Sequence, residues 1–347
     1  MRHVLAKIFL WGMACTLVAL MLANPILAAT RDVNCTDDQT ITAALTQAVP
    51  GDTIRISGTC HEVVVITIDR LTIEGLDNAV IDGEGVDLGS SFALLEINGA
   101  QGIVLTGQLT VQNSTGSRPS AGIGMSVIDN AQAVFRGNVV IQGNASHGLL
   151  IFSGGSARFN AGTVDVIDNV GDGIVVANGA NAIADLAPAD AFTITSDRNT
   201  RGFHFANGGS FQMLGGTLNA ADNRVHGIRV AYGANLFITG LGKVFLQRNP
   251  QGLNIESNAQ ALVSKSPAIP DPTVTITENT TAGVSVQAGF IDLSGATITS
   301  NGPMDAGLDI DLGFGTRAHL TGNTIGILDC DETVLLSPTS DVACPAP

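Results

Sequence analysis

The chain has 347 residues, of which 41 are Gly, 45% are hydrophobic, 4% are aromatic and 14% are charged. That hydrophobic share excludes a disordered chain, and abundant Gly with few aromatics fits many small turns and small inward side chains. A net charge of -15 argues against nucleic acid or anionic lipid as a partner.

In chain order, Met1 to about Ala29 has a basic start (Arg2, Lys7), an apolar run from Ile8 to Leu22 and a small-residue end, Ala28-Ala29. This reads as a secretory signal peptide over residues 1–29, which makes the mature chain extracellular or periplasmic. No later segment is long and apolar enough to span a bilayer, so no membrane span is expected after signal removal. Cys15 leaves with the signal, and Cys35, Cys60, Cys330 and Cys344 remain as two pairs, one at each end. In an exported chain this spacing suggests the disulfides Cys35–Cys60 and Cys330–Cys344. A four-Cys metal site would need the two ends of a rod to meet, so no metal is expected.

Residues 30–52 read as a polar lead followed by a short capping helix. Ile41, Ala44, Leu45, Ala48 and Val49 fall on one helical face, and Pro50-Gly51-Asp52 ends it. Short strand-like runs follow at Thr53–Ser57, Val63–Ile68, Leu71–Glu74 and Ala79–Ile81. From there to about residue 325 a repeat dominates. An apolar segment runs into Asn144, Asn169, Asn199, Asn223, Asn249, Asn279 or Asn301. A Gly then opens the next apolar strand: Gly148, Gly173, Gly202, Gly227, Gly252, Gly283 or Gly307. Successive Gly residues lie 25, 29, 25, 25, 31 and 24 apart, the signature of one supersecondary unit stacked many times.

Aligned on these Gly residues, with Gly122 opening the first row and Gly307 the last, the next position is always apolar, from Ile123 to Leu308. The position two further on is apolar too, from Met125 to Ile310. Alternation in register means parallel strands with one buried face. A second Gly six residues on (Gly154, Gly179, Gly208, Gly233, Gly289, Gly313) marks another corner. The Asn column reads as structural, since Asn tolerates a left-handed corner and stacked amides can form a ladder. Gln112–Ser120, Ala184–Ala191 and Ser264–Thr273 break the rhythm as loops. Residues 326–347 read as a C-terminal tail or cap.

The strand–Asn–Gly repeat, the capping helix, Pro50-Gly51-Asp52-Thr53-Ile54 and Gly58-Thr59-Cys60-His61-Glu62 together resemble the pectate-lyase-like superfamily of right-handed parallel β-helix proteins. The resemblance covers most of residues 35–325. It implies an all-β, single-stranded right-handed parallel β-helix of about ten or eleven coils, roughly 50 Å long at 4.8 Å per coil. Members include lyases, hydrolases, esterases, epimerases and non-enzymatic binders, so it does not imply one activity.

The same register places residues side by side on the outer face. Asp172, Arg201, His204, His226, Arg229, Asn254 and Glu256 fall on one face near the middle of the rod. Asp172, His226 and Arg229 are the candidates for catalysis, and Arg201, His204, Asn254 and Glu256 for substrate binding. Polar residues on a solvated face are also the ordinary case, and neighbouring charge pairs there carry little energy. Asp309 and Asp311 form an outward pair in this register. Gly171-Asp172-Gly173-Ile174 offers one Asp where polygalacturonase-like hydrolases carry two. His226-Gly227-Ile228 matches half of their His motif, with no Arg-Ile-Lys following. No cofactor is implied, and calcium has no supporting motif. The sequence therefore points to a monomeric, non-catalytic β-helix protein that binds extracellular or envelope polysaccharide or presents a surface. The alternative is a polysaccharide lyase or glycoside hydrolase acting around Asp172 and His226.

Overall fold

A computed structural model of the chain describes residues 28–116, 121–185, 191–264, 272–302 and 308–345. The expected signal up to residue 27, the greater part of the 184–191 and 264–273 insertions, residues 117–120 of the first loop, and Gly307 lie outside the described residues.

The chain winds as an all-β parallel solenoid. One wall is an 11-stranded parallel sheet that takes one strand from each coil, running from Val64–Ile66 through Arg201–Ala206 and His226–Val230 to Leu328–Cys330. The other walls join into a 22-stranded sheet. Eleven coils agree with the upper value read from the repeat. Inward residues of the 11-stranded wall stack in register. Ile174, Phe203, Ile228, Leu253 and Val284 are successive neighbours, and each is at most 3% exposed. Bulk is supplied at two levels of the core by ring stacks, Phe135 on Phe159 at 5.0 Å and Phe205 on Phe211 at 5.3 Å between centroids.

The middle rows follow the expected register and the first and last do not. Leu149 pairs with Met125 rather than Ile123, so Gly124 opens that coil and Gly122 does not. At the far end Val284 pairs with Ile310 rather than Leu308, which brings Asp309 level with Gly283. Both slips are of two residues. A two-residue slip keeps every side chain on its face, so the apolar pattern alone cannot detect it.

The Asn column forms a buried ladder. The backbone N–H of Asn144 donates to Asn169 Oδ1 at 3.1 Å. The same bond repeats from Asn169 to Asn199, Asn199 to Asn223, Asn223 to Asn249, Asn249 to Asn279 and Asn279 to Asn301, at 2.9–3.1 Å. Asn301 passes it on to Asp309 Oδ1 at 3.1 Å. Asp309, 3% exposed, thus ends the ladder inside the molecule and forms no outward pair with Asp311. The left-handed backbone does not fall on the ladder Asn. It falls on the residue before each: Gly143, Asp168, Arg198, Asp222, Arg248, Glu278 and Ser300, with φ between 53° and 63°. These side chains stand outside, where Arg198 pairs with Asp168 at 2.7 Å and Arg248 with Asp222 at 2.9 Å. At the second corner Gly154, Gly179, Gly208 and Gly233 have positive φ. In the last two rows Gly289 and Gly313 do not, and Ala288 (φ 51°) and Gly315 (φ 67°) take the left-handed place.

The N-terminal end is closed by the helix Ile41–Leu45, whose Ile41 is fully buried and Leu45 8% exposed. Its first turn is capped twice. Thr40 Oγ1 accepts from Ala43 N, and the Glu62 carboxylate accepts from Ile41 N at 2.6 Å and Thr42 N at 3.0 Å. The lead is not only polar: Thr30–Asn34 is a parallel strand on Thr53–Ser57. Both expected disulfides are present, Cys35–Cys60 and Cys330–Cys344. Residues beyond 325 continue the stack, with Leu328–Cys330 on Ile310–Leu312 and Leu335–Leu336 on Arg317–Ala318. No helix among the described residues is long and apolar enough to cross a membrane.

Candidate functional site

Four adjacent strands of the 11-stranded wall, Ile174–Ala177, Arg201–Ala206, His226–Val230 and Gln251–Glu256, place the polar cluster. Their parallel register sets His204 beside Arg229 and Arg229 beside Asn254 on the outer face, while Phe203, Ile228 and Leu253 point into the core. Asp172 lies just ahead of the first strand, where the chain enters the wall.

Asp172 is 3% exposed and accepts from two side chains. Arg201 Nη1 donates to its Oδ1 at 3.0 Å, and His204 Nδ1 meets its Oδ2 at 2.8 Å. Burial pushes this carboxyl up, but the His204 hydrogen bond and the Arg201 charge outweigh it. The group is held below the usual carboxylate range and stays ionised. An ionised carboxylate only accepts, so His204 carries its proton on Nδ1. Its Nε2 then accepts from Arg229 Nη1 at 3.1 Å. Arg229 continues the chain: its Nε donates to Glu256 Oε1 at 3.0 Å, and its Nη2 bonds the same oxygen. The guanidinium carbon also sits 5.5 Å from the centroid of the Tyr232 ring, which is 53% exposed. One connected network therefore runs Arg201–Asp172–His204–Arg229–Glu256 across four coils.

His226 stands beside Arg201 and Gln251 in register. Burial first, then the charges of Arg201 and Arg229, lower its pKa to about 4, so its imidazole is neutral at pH 7. His147 is likewise lowered, chiefly by burial, and its Nδ1 accepts from the Asp172 backbone N–H at 3.0 Å. Asn254 is 7% exposed and donates to Gln251 Oε1 at 2.9 Å. Among the described residues four buried side-chain atoms have no hydrogen-bond partner, and three belong to this cluster: Arg201 Nε, His226 Nδ1 and Asn254 Oδ1.

All seven residues expected on this face are on it. Five of them join one network, while His226 and Asn254 lie beside it. The register did not single out His147, Gln251 or Tyr232. His147 and Gln251 stand in the same column as Arg201 and were within its reach. Tyr232 was not, because it sits in the left-handed corner (φ 53°) that follows the strand. As the only Tyr in the chain, it carried a compositional signal alone. Cys35, Cys60 and Glu62 bring ligand-type atoms within 4.8 Å of one another, but the two sulfurs are joined to each other and cannot bind a metal.

No family model and no curated protein matches the chain. Similar solved structures include the catalytic unit of a thermostable GH87 α-1,3-glucanase from Streptomyces thermodiastaticus strain HF3-3 (14% identity, TM-score 0.39, covering 93% of this chain and 72% of that one). The catalytic domain of a GH87 α-1,3-glucanase in complex with tetrasaccharides has 13% identity and a TM-score of 0.38, covering 92% and 69%. The Siphovirus 9NA tailspike receptor binding domain has 11% identity and a TM-score of 0.32, covering 91% and 77%. Likeness this distant assigns the chain to no family and fixes no chemistry.

Proposed function

We propose that the face around Asp172, His204 and Arg229 binds a neutral, hydroxyl-rich glycan without cleaving it. The observation that carries this reading is the set of buried, unpartnered atoms Arg201 Nε, His226 Nδ1 and Asn254 Oδ1 next to a completed network. An unpaired buried polar group costs about 1–3 kcal/mol, so these three mark a face kept polar at the expense of stability, and sugar hydroxyls, which both donate and accept, can bond its half-buried outward groups. The exposed Tyr232 ring beside Arg229 adds a surface for the apolar face of a sugar.

Charge balance supports a neutral ligand over a polyanion. Arg201 and Arg229 are each matched by a carboxylate, Asp172 and Glu256, so the site offers no excess positive charge. The same pairing speaks against glycoside hydrolysis, which needs a protonated acid beside the scissile bond. Asp172 is held ionised and Glu256 is engaged by Arg229. Two disulfides suit an oxidising compartment, consistent with a secreted chain.

One observation favours the enzymatic alternative. His226 is a neutral imidazole flanked by two guanidiniums, an arrangement that can take a proton from a carbon beside a neutralised carboxylate. Affinity electrophoresis against neutral and uronic-acid polysaccharides, with parallel assays for new reducing ends and unsaturated products, separates the two. Retention by a neutral glycan without products, weakened at least about tenfold in Arg229→Ala, is the expected result. Products that disappear in His226→Ala would replace binding by catalysis. Retention unchanged in an Arg229→Ala/Asn254→Ala double variant would move the ligand off this face.

A further inference from the structure

Outside this face, one cluster of titratable and hydroxyl side chains has the connectivity of a nucleophilic site. Asp292 and His319 are direct register neighbours on the strands Phe290–Ser294 and Arg317–Thr321. His319 Nδ1 lies 3.1 Å from Asp292 Oδ1, and its Nε2 lies 3.0 Å from Thr339 Oγ1. A carboxylate can only accept, which puts the imidazole proton on Nδ1. Nε2 is then an acceptor, and the Thr339 hydroxyl donates to it. Ser337 Oγ, 3.0 Å from Thr339 Oγ1, completes a hydroxyl relay by donating to the Thr339 oxygen.

The backbone holds Thr339 in place from both sides. Ser337 N donates to Ala318 O at 2.8 Å and Asp341 N to Leu320 O at 3.0 Å, so the segment 337–341 is laid along the strand that carries His319. The Cys330–Cys344 bond closes the loop around it. Asp292, His319 and Ser337 line an open groove of about 380 Å³ together with Phe290, Leu335, Leu336 and Arg317.

We infer that Thr339, His319 and Asp292 form a hydroxyl–imidazole–carboxylate site that hydrolyses small acyl esters. In the first step Thr339 Oγ1 attacks the ester carbonyl carbon while its proton passes to His319 Nε2, and Asp292 steadies the resulting imidazolium. Charge developing on the carbonyl oxygen faces the Arg317 side of the groove. The C–O bond to the alcohol breaks, and His319 returns the proton to that alcohol, leaving an acyl-Thr339 ester. Water then attacks with His319 as base, which releases a carboxylic acid and restores the Thr339 hydroxyl. No oxidant or reductant enters. The apolar walls suit a short acyl chain. The site lies on a different wall from the Asp172 face and does not depend on the glycan reading.

The test uses the full mature chain with a fluorophosphonate probe and p-nitrophenyl acetate, and mass mapping of the labelled peptide. Label on Thr339, with saturable ester turnover that falls at least about tenfold in His319→Ala and in Asp292→Asn, is expected. Thr339→Ser should keep both, and Thr339→Val should lose both. Label on Ser337 or another residue, labelling no greater than that of heat-denatured chain, or labelling unchanged in His319→Ala would overturn the assignment. Should His319→Ala fail to fold, the Thr339→Val and Thr339→Ser pair decides alone, because Thr339 is exposed.

Discussion

Asn223 shows how much one side chain does in this molecule. Its Oδ1 accepts from the Asn199 backbone, while its Nδ2 donates to Ser196 O and Asn249 Oδ1, all within the interior. Asn223→Ala leaves the Asn199 N–H buried and unpaired, and about 2–3 kcal/mol of stability should be lost by denaturant unfolding. The sequence made the ladder legible because Asn recurs at a fixed period. It misplaced the left-handed residue by one position, because that conformation falls on the residue before each Asn, and that column, from Gly143 and Asp168 to Arg248, Glu278 and Ser300, shares no residue type that would have marked it. His226 carries a second residue-scale consequence. Its pKa falls from 6.5 to about 4 on folding, so between those values the unfolded chain binds more protons than the folded one. Stability therefore drops as pH falls from 6.5 toward 4, by at most about 3 kcal/mol from this group. Asp172 acts in the same sense but lower, because its lowered pKa loses stabilisation only as pH falls below its ordinary value of 3.8. Melting curves across pH 4–7 should thus be flatter for His226→Gln than for the parent chain. Equal slopes would mean that His226 is not desolvated by the fold.

At the scale of the strand, the row glycines have a reason that periodicity alone did not reveal. None from Gly124 to Gly283 needs positive φ, so backbone freedom is not why they are Gly. They are small because the ladder passes over them. A Cβ at Gly227 would lie 2.7 Å from Gly252 O and 2.9 Å from Asn249 Nδ2, closer than backbone atoms can tolerate. Gly227→Ala must therefore push two coils apart at the strand that carries His226 and Arg229. A loss of about 2–3 kcal/mol is expected, with glycan retention falling alongside it, whereas Gly179→Ala at an open corner should leave retention unchanged. The same crowding explains which registers were readable. Middle coils keep the Gly under the Asn, so their columns align and the Asp172–Glu256 face was legible in advance. In the last row of the repeat Asp309 replaces that Gly and caps the ladder with its carboxylate, and in the first row the Gly is offset by two. Alternation survives both changes, so the pattern gave no warning there.

As a whole the rod is a one-dimensional stack, and this sets how far damage should spread. Each coil touches its two neighbours, so stability is close to a sum of coil terms and interface terms. The end coils have only one neighbour each, and the helix Ile41–Leu45 supplies the missing one at the N-terminal end. It packs against Thr30–Asn34, Thr53–Ser57 and Val64–Ile66. Ile41 is fully buried there, so Ile41→Ala should cost about 2–4 kcal/mol from lost apolar contact and the remaining cavity. In a compact globule that cost would lower protection everywhere. In a stack it should open the first coils and fade along the axis, since nothing links the cap directly to the middle. Hydrogen exchange distinguishes the two. Amides of Thr53–Ser57 and Val64–Ile66 should exchange faster in Ile41→Ala, while those of Arg201–Ala206, several coils away, keep their parent rates. Equal acceleration at both places would show that the eleven coils open as one unit, and the face around Asp172 would then depend on a cap that it never touches.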